Sequence, residues 1–247
     1  MSATKQTITE HKTDDAFINP TFDFKSLDRA TIRRFILDYI TSALPEMNGN
    51  LLDIGCGKMP YRKLILQGSA VETYTGLDIE TAIVYDKEVK PDFFWDGQKM
   101  PFDNNSFDCA LATEVLEHVP HPNIFLSEAH RVLKSNGKLF FTVPFLWNLH
   151  EVPYDEYRYT PFSLERILKE NGFKDIHIQA TGGWHASMAM MIGLWIKRSP
   201  MALSKKKILA FILTPAMKYL LKKDKQTKIS FTEGQMITGL CGYAIKP

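Results

Sequence analysis

Residues 51–60 read LLDIGCGKMP, an apolar run closing in Asp53 and Ile54, then Gly55 and Gly57 one residue apart. A strand that feeds a glycine turn, with Pro60 at a favoured first-turn position of a following helix, lets backbone N–H groups approach a ligand closely. A tight turn alone has the same glycines, so the neighbours decide. Asp78 lies 21 residues after Gly57, at the end of the next predicted strand, TYTGLDI. There an acidic side chain accepts hydrogen bonds from both hydroxyls of a ribose. A dinucleotide fits poorly, because Lys58, Met59 and Pro60 stand where the third glycine of that fingerprint is due. Asp53 would also repel a pyrophosphate, whereas it suits a cationic amino group. The expected ligand is adenosine-like with a positive end.

Outward from this turn, strands and helices alternate, the pattern of a layered sheet with helices on both faces. Before it, SLDRATIRRFILDYITSAL places Ile32, Phe35, Ile36, Tyr39, Ile40 and Leu44 at helical spacing. After it come predicted strands DFFWD, FDCALAT and GKLFFTVP, and helices at about 123–133 and 163–170. Gly137 of KSNGK is expected just past the end of the first of these helices. DIHIQAT and GLCGYAI read as two late strands. There is no internal repeat and no low-complexity segment.

A chain of 247 residues, 45% hydrophobic, is long enough to bury one core. The expected organisation is a polar tail over 1–26 and one domain over 27–247. The first residues lack the apolar centre of a secretory signal, and no run reaches the roughly 18 apolar residues of a membrane span. A cytoplasmic location is expected. Cys56, Cys109 and Cys241 are far apart and odd in number, so neither a disulfide framework nor a metal-ligand spacing is supported. No metal is expected. Between Lys197 and Lys228 stand ten Lys/Arg and one acid, Asp224, a local +9 that leaves −7 for the rest of a chain whose net charge is +2.

With the glycine turn, DGQKMPFDNNSFDCALATEVLEHV and EAHRVLKSNGKLFFTVP make the chain resemble the class I S-adenosylmethionine-dependent methyltransferases, most of all the small-molecule type related to ubiquinone biosynthesis (methyltransferase type 11). The resemblance spans about 51–144 and continues weakly to about 172. It implies a Rossmann-like fold: a seven-stranded, mostly parallel sheet with the last strand antiparallel and helices on both faces. Carried over, it implies that Asp53, Gly55, Cys56 and Gly57 surround the methionine end of S-adenosylmethionine. Asp78 would hold the ribose, Ile79 would pack on the adenine, and Asp96 with Gly97 would lie at its edge, Asp96 accepting from the exocyclic amine. Thr113 and Glu114 would close the site near the sulfonium. His118, a candidate catalytic residue in EVLEHV, supports the site in this family, and Glu117 beside it reads as a solvated charge.

The stretch WNLHEVPYDEYRYTPFSLERIL follows the fifth strand, where this fold places substrate-facing loops. Its His150, Pro153, Asp155, Arg158, Tyr159 and Thr160 resemble a segment of methyltransferases from bacterial polysaccharide and glycan gene clusters. A loop that merely caps the core with its tyrosines is the competing reading. Methyl transfer is an in-line displacement that needs an aligned acceptor, excluded water and, for a hydroxyl, a proton taken up. His150, whose unperturbed pKa lies near neutrality, is the expected base, oriented by Asp155, with Arg158 binding an acidic group of the substrate.

Between the last two strands, 186–228 holds apolar helical candidates bracketed by lysines, too short to span a bilayer. It reads as a peripheral contact with the inner membrane surface, or as helices that cover the site or form a homodimer. A small-molecule or lipid-linked acceptor, methylated on oxygen, is the leading expectation. An RNA or other nucleic-acid methyltransferase would use the basic stretch on phosphates, but no Asn/Asp-Pro-Pro-Tyr motif or RNA-binding module is present. A non-catalytic cofactor-binding protein is the third class, separated from an enzyme by turnover.

Overall fold

A computed structural model describes residues 15–80, 89–224 and 229–247. The start of the expected tail and two basic residues, Lys225 and Lys228, lie outside these. The described elements are α1 (Asp15–Ile18), α2 (Ala30–Ala43), β1 (Asn48–Ile54), α3 (Arg62–Gly68), β2 (Ala70–Ile79), β3 (Phe93–Trp95), β4 (Phe107–Thr113), α4 (Pro122–Val132), β5 (Leu133–Pro144), α5 (Pro161–Glu170), β6 (Lys174–Ala180), α6 (Trp184–Arg198), α7 (Leu203–Asp224) and β7 (Gly239–Ile245). One seven-stranded sheet has the order β3-β2-β1-β4-β5-β7-β6. Neighbours from β3 to β5 are parallel, and β7 runs antiparallel to both β5 and β6. This is the Rossmann-like architecture expected, with the strand order reversing between β1 and β4.

Leu51 to Ile54 are all buried because a central parallel strand is covered on both faces. Its alternating side chains divide between two cores. Leu52 and Ile54 pack with Leu139, Phe141 and residues of α4 and α5, whereas Leu51 packs with Leu111, Phe140 and the Ile36, Tyr39 and Ile40 face of α2. All three cysteines are buried and free.

Three local expectations are corrected. The segment read as a polar tail is partly packed: Phe17 meets Tyr61 edge-on at 6.3 Å beneath Arg33, and Phe22 and Phe24 lie against the cluster around Leu27. Gly137 is no helix terminator, since α4 ends directly into the extended Leu133 of β5. A Cβ at Gly137 would sit 2.8 Å from the Lys134 carbonyl and 3.1 Å from that of Asp108, so close backbone approach explains this glycine. Pro60 precedes α3 by two residues instead of standing in its first turn, because the turn is completed by the Met59 N–H to Cys56 carbonyl bond.

The insertion forms α6 and α7. Gly193 lets α6 approach the Leu27 carbonyl, where a Cβ would stand 2.6 Å away. Asp224, the lone acid of the basic stretch, is buried and accepts the Gly183 and Ala186 N–H groups that open α6. Trp184, Met188, Met191 and Trp195 recur on the outer face of α6, and Leu203, Ile208, Phe211, Ile212 and Tyr219 are exposed on α7. Among the described residues, no helix is long and apolar enough to cross a membrane.

Candidate functional site

The carboxyl ends of β1, β2 and β4 meet where the strand order reverses, the place at which open α/β sheets hold ligands. Gly55 and Cys56 donate their N–H groups to the Leu77 carbonyl at 2.8 and 3.1 Å, tying the turn to β2. Gly55 has φ +72° and would press a Cβ to 2.6 Å from Val115, so the residue type is required twice over. Gly57, at φ +47°, donates to Asp78 Oδ2 at 3.0 Å, and the Ile79 N–H reaches Asp78 Oδ1 at 2.9 Å. Cys56 is buried with its sulfur near Gly76, and its N–H and carbonyl are bonded to Leu77 and Met59 within the turn.

Asp53 is buried, accepts the Tyr74 hydroxyl on Oδ2, and has no hydrogen-bond partner for Oδ1 among the described residues. Burial pushes its carboxyl up to about 7, against the pull of the Tyr74 bond and with a further push from Asp78. The folded chain therefore holds this proton more tightly than the unfolded one. That contribution to stability is complete below the unfolded value of about 3.9 and is lost as pH rises through about 7. An ammonium group beside Asp53 reverses the preference by favouring the ionised form. An adenosine ligand bearing an ammonium is thus expected to bind about tenfold more tightly at pH 8 than at pH 6, and Asp53→Asn to flatten that dependence in calorimetric titrations.

Ile79 is 39% exposed at the end of β2, in register with Trp95, and offers an apolar surface to a planar ring. Asp96 is exposed, and its Oδ1 accepts the Gln98 and Lys99 N–H groups at 2.8 and 3.1 Å, which hold its carboxyl low. At least one oxygen expected at the adenine edge thus shapes its own turn. Gly97, at φ +79°, has nothing within 4 Å of a Cβ and leaves that edge open. Thr113 ends β4. Glu114, at φ +53°, donates its N–H to the Thr142 carbonyl at 3.0 Å and accepts the Thr142 hydroxyl at 2.8 Å. Burial raises its carboxyl pKa.

The loop after β5 closes over this end. Asp155, its side chain 3% exposed, receives both Arg158 guanidinium nitrogens at 2.6 and 2.9 Å and the His150 N–H at 3.2 Å. Burial works against its charge, but the Arg158 bonds outweigh it and hold the carboxyl down to about 2. Arg158 is therefore a clasp inside the loop, and the expectation that it binds an acidic substrate group is corrected: its fork already faces a carboxylate. Tyr159 is buried against the core, as a capping loop requires, whereas Leu149, Val152 and Tyr154 are exposed.

His150 Nδ1 lies 3.3 Å from Asp155 Oδ2 but has no hydrogen-bond partner among the described residues. Burial lowers its pKa, as does His118, whose ring meets it edge-on at 4.7 Å. His118 Nδ1 is 3.0 Å from the Tyr154 carbonyl, and its Nε2 stands 3.8 Å from Glu117 and 3.7 Å from Glu151. The reading of Glu117 as a solvated charge is overturned. It is 0% exposed, and neither carboxylate oxygen has a hydrogen-bond partner among the described residues. Glu117, His118 and His150 bring one ligand atom each within 4.8 Å of one another. The spacing Glu114-x-x-Glu117-His118 was visible in the sequence, but its inward aim was not. Tyr74, the hydrogen-bond partner of Asp53, was missed, and Glu151 received no role; it stands 3.7 Å from His118 Nε2.

A family described as "Methyltransferase domain" matches residues 28–178. The ubiquinone biosynthesis O-methyltransferase of Dechloromonas aromatica is 28% identical over 137 residues, 50% of this chain and 56% of that protein. The fatty-acid O-methyltransferase of Mycolicibacterium smegmatis is 26% identical over 130 residues, 50% of this chain and 46% of that protein. The chain spans about half the length of the curated relatives it matches. In fold it is similar to phosphoethanolamine N-methyltransferase 2 of Haemonchus contortus, solved with S-adenosyl-L-methionine, with a TM-score of 0.51 and 16% identity over 94% of this chain and 59% of that one.

Proposed function

This chain belongs to the methyltransferase family, and we propose that it transfers a methyl group from S-adenosylmethionine to an oxygen of a small glycan-related or lipid-linked acceptor. The observation that carries this reading is the Gly55–Gly57 turn at the reversal of strand order, with the Gly57 N–H on Asp78 and the Gly55 and Cys56 N–H groups on the Leu77 carbonyl. The residues present fit the cofactor: Asp53 Oδ1 is a buried oxygen without a hydrogen bond among the described residues, suited to an ammonium donor, and Gly97 leaves open space beside Ile79. Asp53 and the turn would hold the methionine end, Asp78 the ribose, and Ile79 with Gly97 the adenine. When bound, the cofactor supplies an electrophilic methyl group on a sulfonium.

Glu114, Glu117, His118 and His150 then surround the acceptor. Holding two reactants in line contributes roughly 7–11 kcal/mol to such a reaction, and the Asp155–Arg158 clasp keeps the loop in place. With no cation bound, the acceptor oxygen gives its proton to His150, the ring beside Asp155. Methylation on oxygen is favoured by the relatives named for O-methyl transfer, and a lipid-linked acceptor by the one named for fatty acids. Turnover of labelled S-adenosylmethionine with a panel of glycans and lipid-linked sugars tests the reading. Cofactor binding without transfer to any acceptor would instead favour a binding protein, and transfer to RNA would move the function to nucleic acid.

The exposed apolar residues of α6 and α7 stand among Lys205, Lys207, Lys218 and Lys222, a pattern that suits an anionic membrane surface on which a lipid-linked acceptor resides. Phe211, 85% exposed, is the most open of them. The protein is expected to float with anionic liposomes, to be released by high salt, and to lose most of this binding in Phe211→Ser. Absence of salt-sensitive flotation would rule out attachment through these helices and leave them as a cover or dimer face.

A further inference from the structure

We propose that Glu117, His118 and His150 form a site for one divalent transition-metal cation at the acceptor end of the cleft. The site depends on the methyltransferase reading for its purpose but not for its existence. Its first support is convergence, since the three donors come within 4.8 Å of one another from two separate segments of chain. The second is the state of Glu117. As a carboxylate it would be an enclosed charge without a hydrogen bond, which is strongly unfavourable. Protonation does not repair this, because the carboxylic O–H would still lack an acceptor and the other oxygen a donor. A cation satisfies both problems at once.

The surroundings prepare the histidines for ligation. The Tyr154 carbonyl, 3.0 Å from His118 Nδ1, holds the proton there and leaves the Nε2 lone pair on the side of Glu117. Such an outer partner is what a metal-ligating imidazole uses to set its tautomer and orientation. His150 Nδ1, 3.3 Å from Asp155 Oδ2, is itself a buried nitrogen without a hydrogen bond among the described residues, a second donor atom left unsatisfied beside Glu117. Two imidazoles and one carboxylate suit Zn²⁺ or a neighbouring first-row ion better than Mg²⁺ or Ca²⁺, which prefer all-oxygen shells. Three protein donors leave a position open for the acceptor. A cation there would orient a hydroxyl and lower its pKa, so that the proton could leave to solvent as the methyl group is transferred, with His150 acting as a ligand and not as a free base.

The test uses the whole chain, stripped with a chelator and titrated with Zn²⁺ alone by calorimetry and with Co²⁺ by visible absorption. One saturable site per chain is expected, with Glu117→Gln and His150→Ala each weakening Zn²⁺ by about tenfold or more while binding S-adenosylhomocysteine like the wild type. Because Glu117 is enclosed, the partly exposed His150 keeps the test decisive where Glu117→Gln does not fold. No saturable Zn²⁺ binding by a chain that binds S-adenosylhomocysteine overturns the proposal, as does unchanged Zn²⁺ affinity in the folded variants. Zn²⁺ binding by a chain that ignores S-adenosylhomocysteine upholds the cation site and removes the methyltransferase reading instead.

Discussion

Asp78→Ala is expected to weaken S-adenosylhomocysteine binding by roughly 10² to 10⁴, enough to remove a calorimetric signal at ordinary concentrations. The magnitude follows from two ribose hydroxyls donating to one carboxylate, each such charged hydrogen bond contributing about 1.5–3 kcal/mol. Asp78 is half-buried at the end of β2, where burial raises its pKa and the Ile79 and Gly57 N–H groups oppose that rise. The substitution does release the Gly57 N–H, which now points at Oδ2. Asp78→Asn keeps an acceptor for that N–H and serves as the companion: a comparable loss of affinity in a chain with unchanged near-UV circular dichroism assigns the effect to the ribose contact. Wild-type affinity in both variants would place the nucleoside elsewhere and remove the basis for the whole site.

His150→Ala is expected to lower turnover by about 10² to 10⁴, the range for removing a group that acts on the acceptor's proton, with S-adenosylhomocysteine affinity unchanged. The separation of effects is the informative part. His150 lies in the loop after β5, outside the glycine turn, and its neighbours are His118, Asp155 and Trp147, not the cofactor-facing residues. Its alanine variant keeps the Asp155–Arg158 clasp and the backbone bond to Asp155 Oδ2, so the loop retains its shape. Turnover near the wild-type rate would exclude His150 from the reacting atoms. A rise in KM alone would reassign it to acceptor positioning.

The cofactor half of the site was more legible than the acceptor half. Gly55, Gly57 and Asp78 declare themselves through short-range requirements: positive φ, a missing Cβ and an acid at the end of the next strand. In the structure the Gly57 N–H meets Asp78, and the Gly55 N–H meets the Leu77 carbonyl next to it. The acceptor half mixed true and false leads. His150 and Asp155 do adjoin, and their five-residue separation was readable as one loop. Arg158 looked available for substrate only because its partner Asp155 was itself taken for an orienting group. Asp96 was placed at the adenine edge, yet two N–H groups from its own turn occupy Oδ1.

Glu117 shows most clearly where sequence reasoning stopped. A glutamate next to a histidine in a short 3-10 turn, Leu116–His118, gives no local sign of burial. It is enclosed because the later loop folds back, the Glu156 and Tyr157 N–H groups meeting the Glu117 carbonyl at 2.9 and 3.1 Å. Sequence alone determined what adjacent residues and strand or helix periods dictate: the β-turn-α start, the adenosine-type ligand and the basic, apolar helices of the insertion; the antiparallel last strand came from the family resemblance. Only the tertiary structure decided which charges are paired, which are exposed and which are buried without a partner. The reason is physical: conformation of a turn is set within a few residues, whereas desolvation and pairing are set by whatever segment packs on top, however distant along the chain.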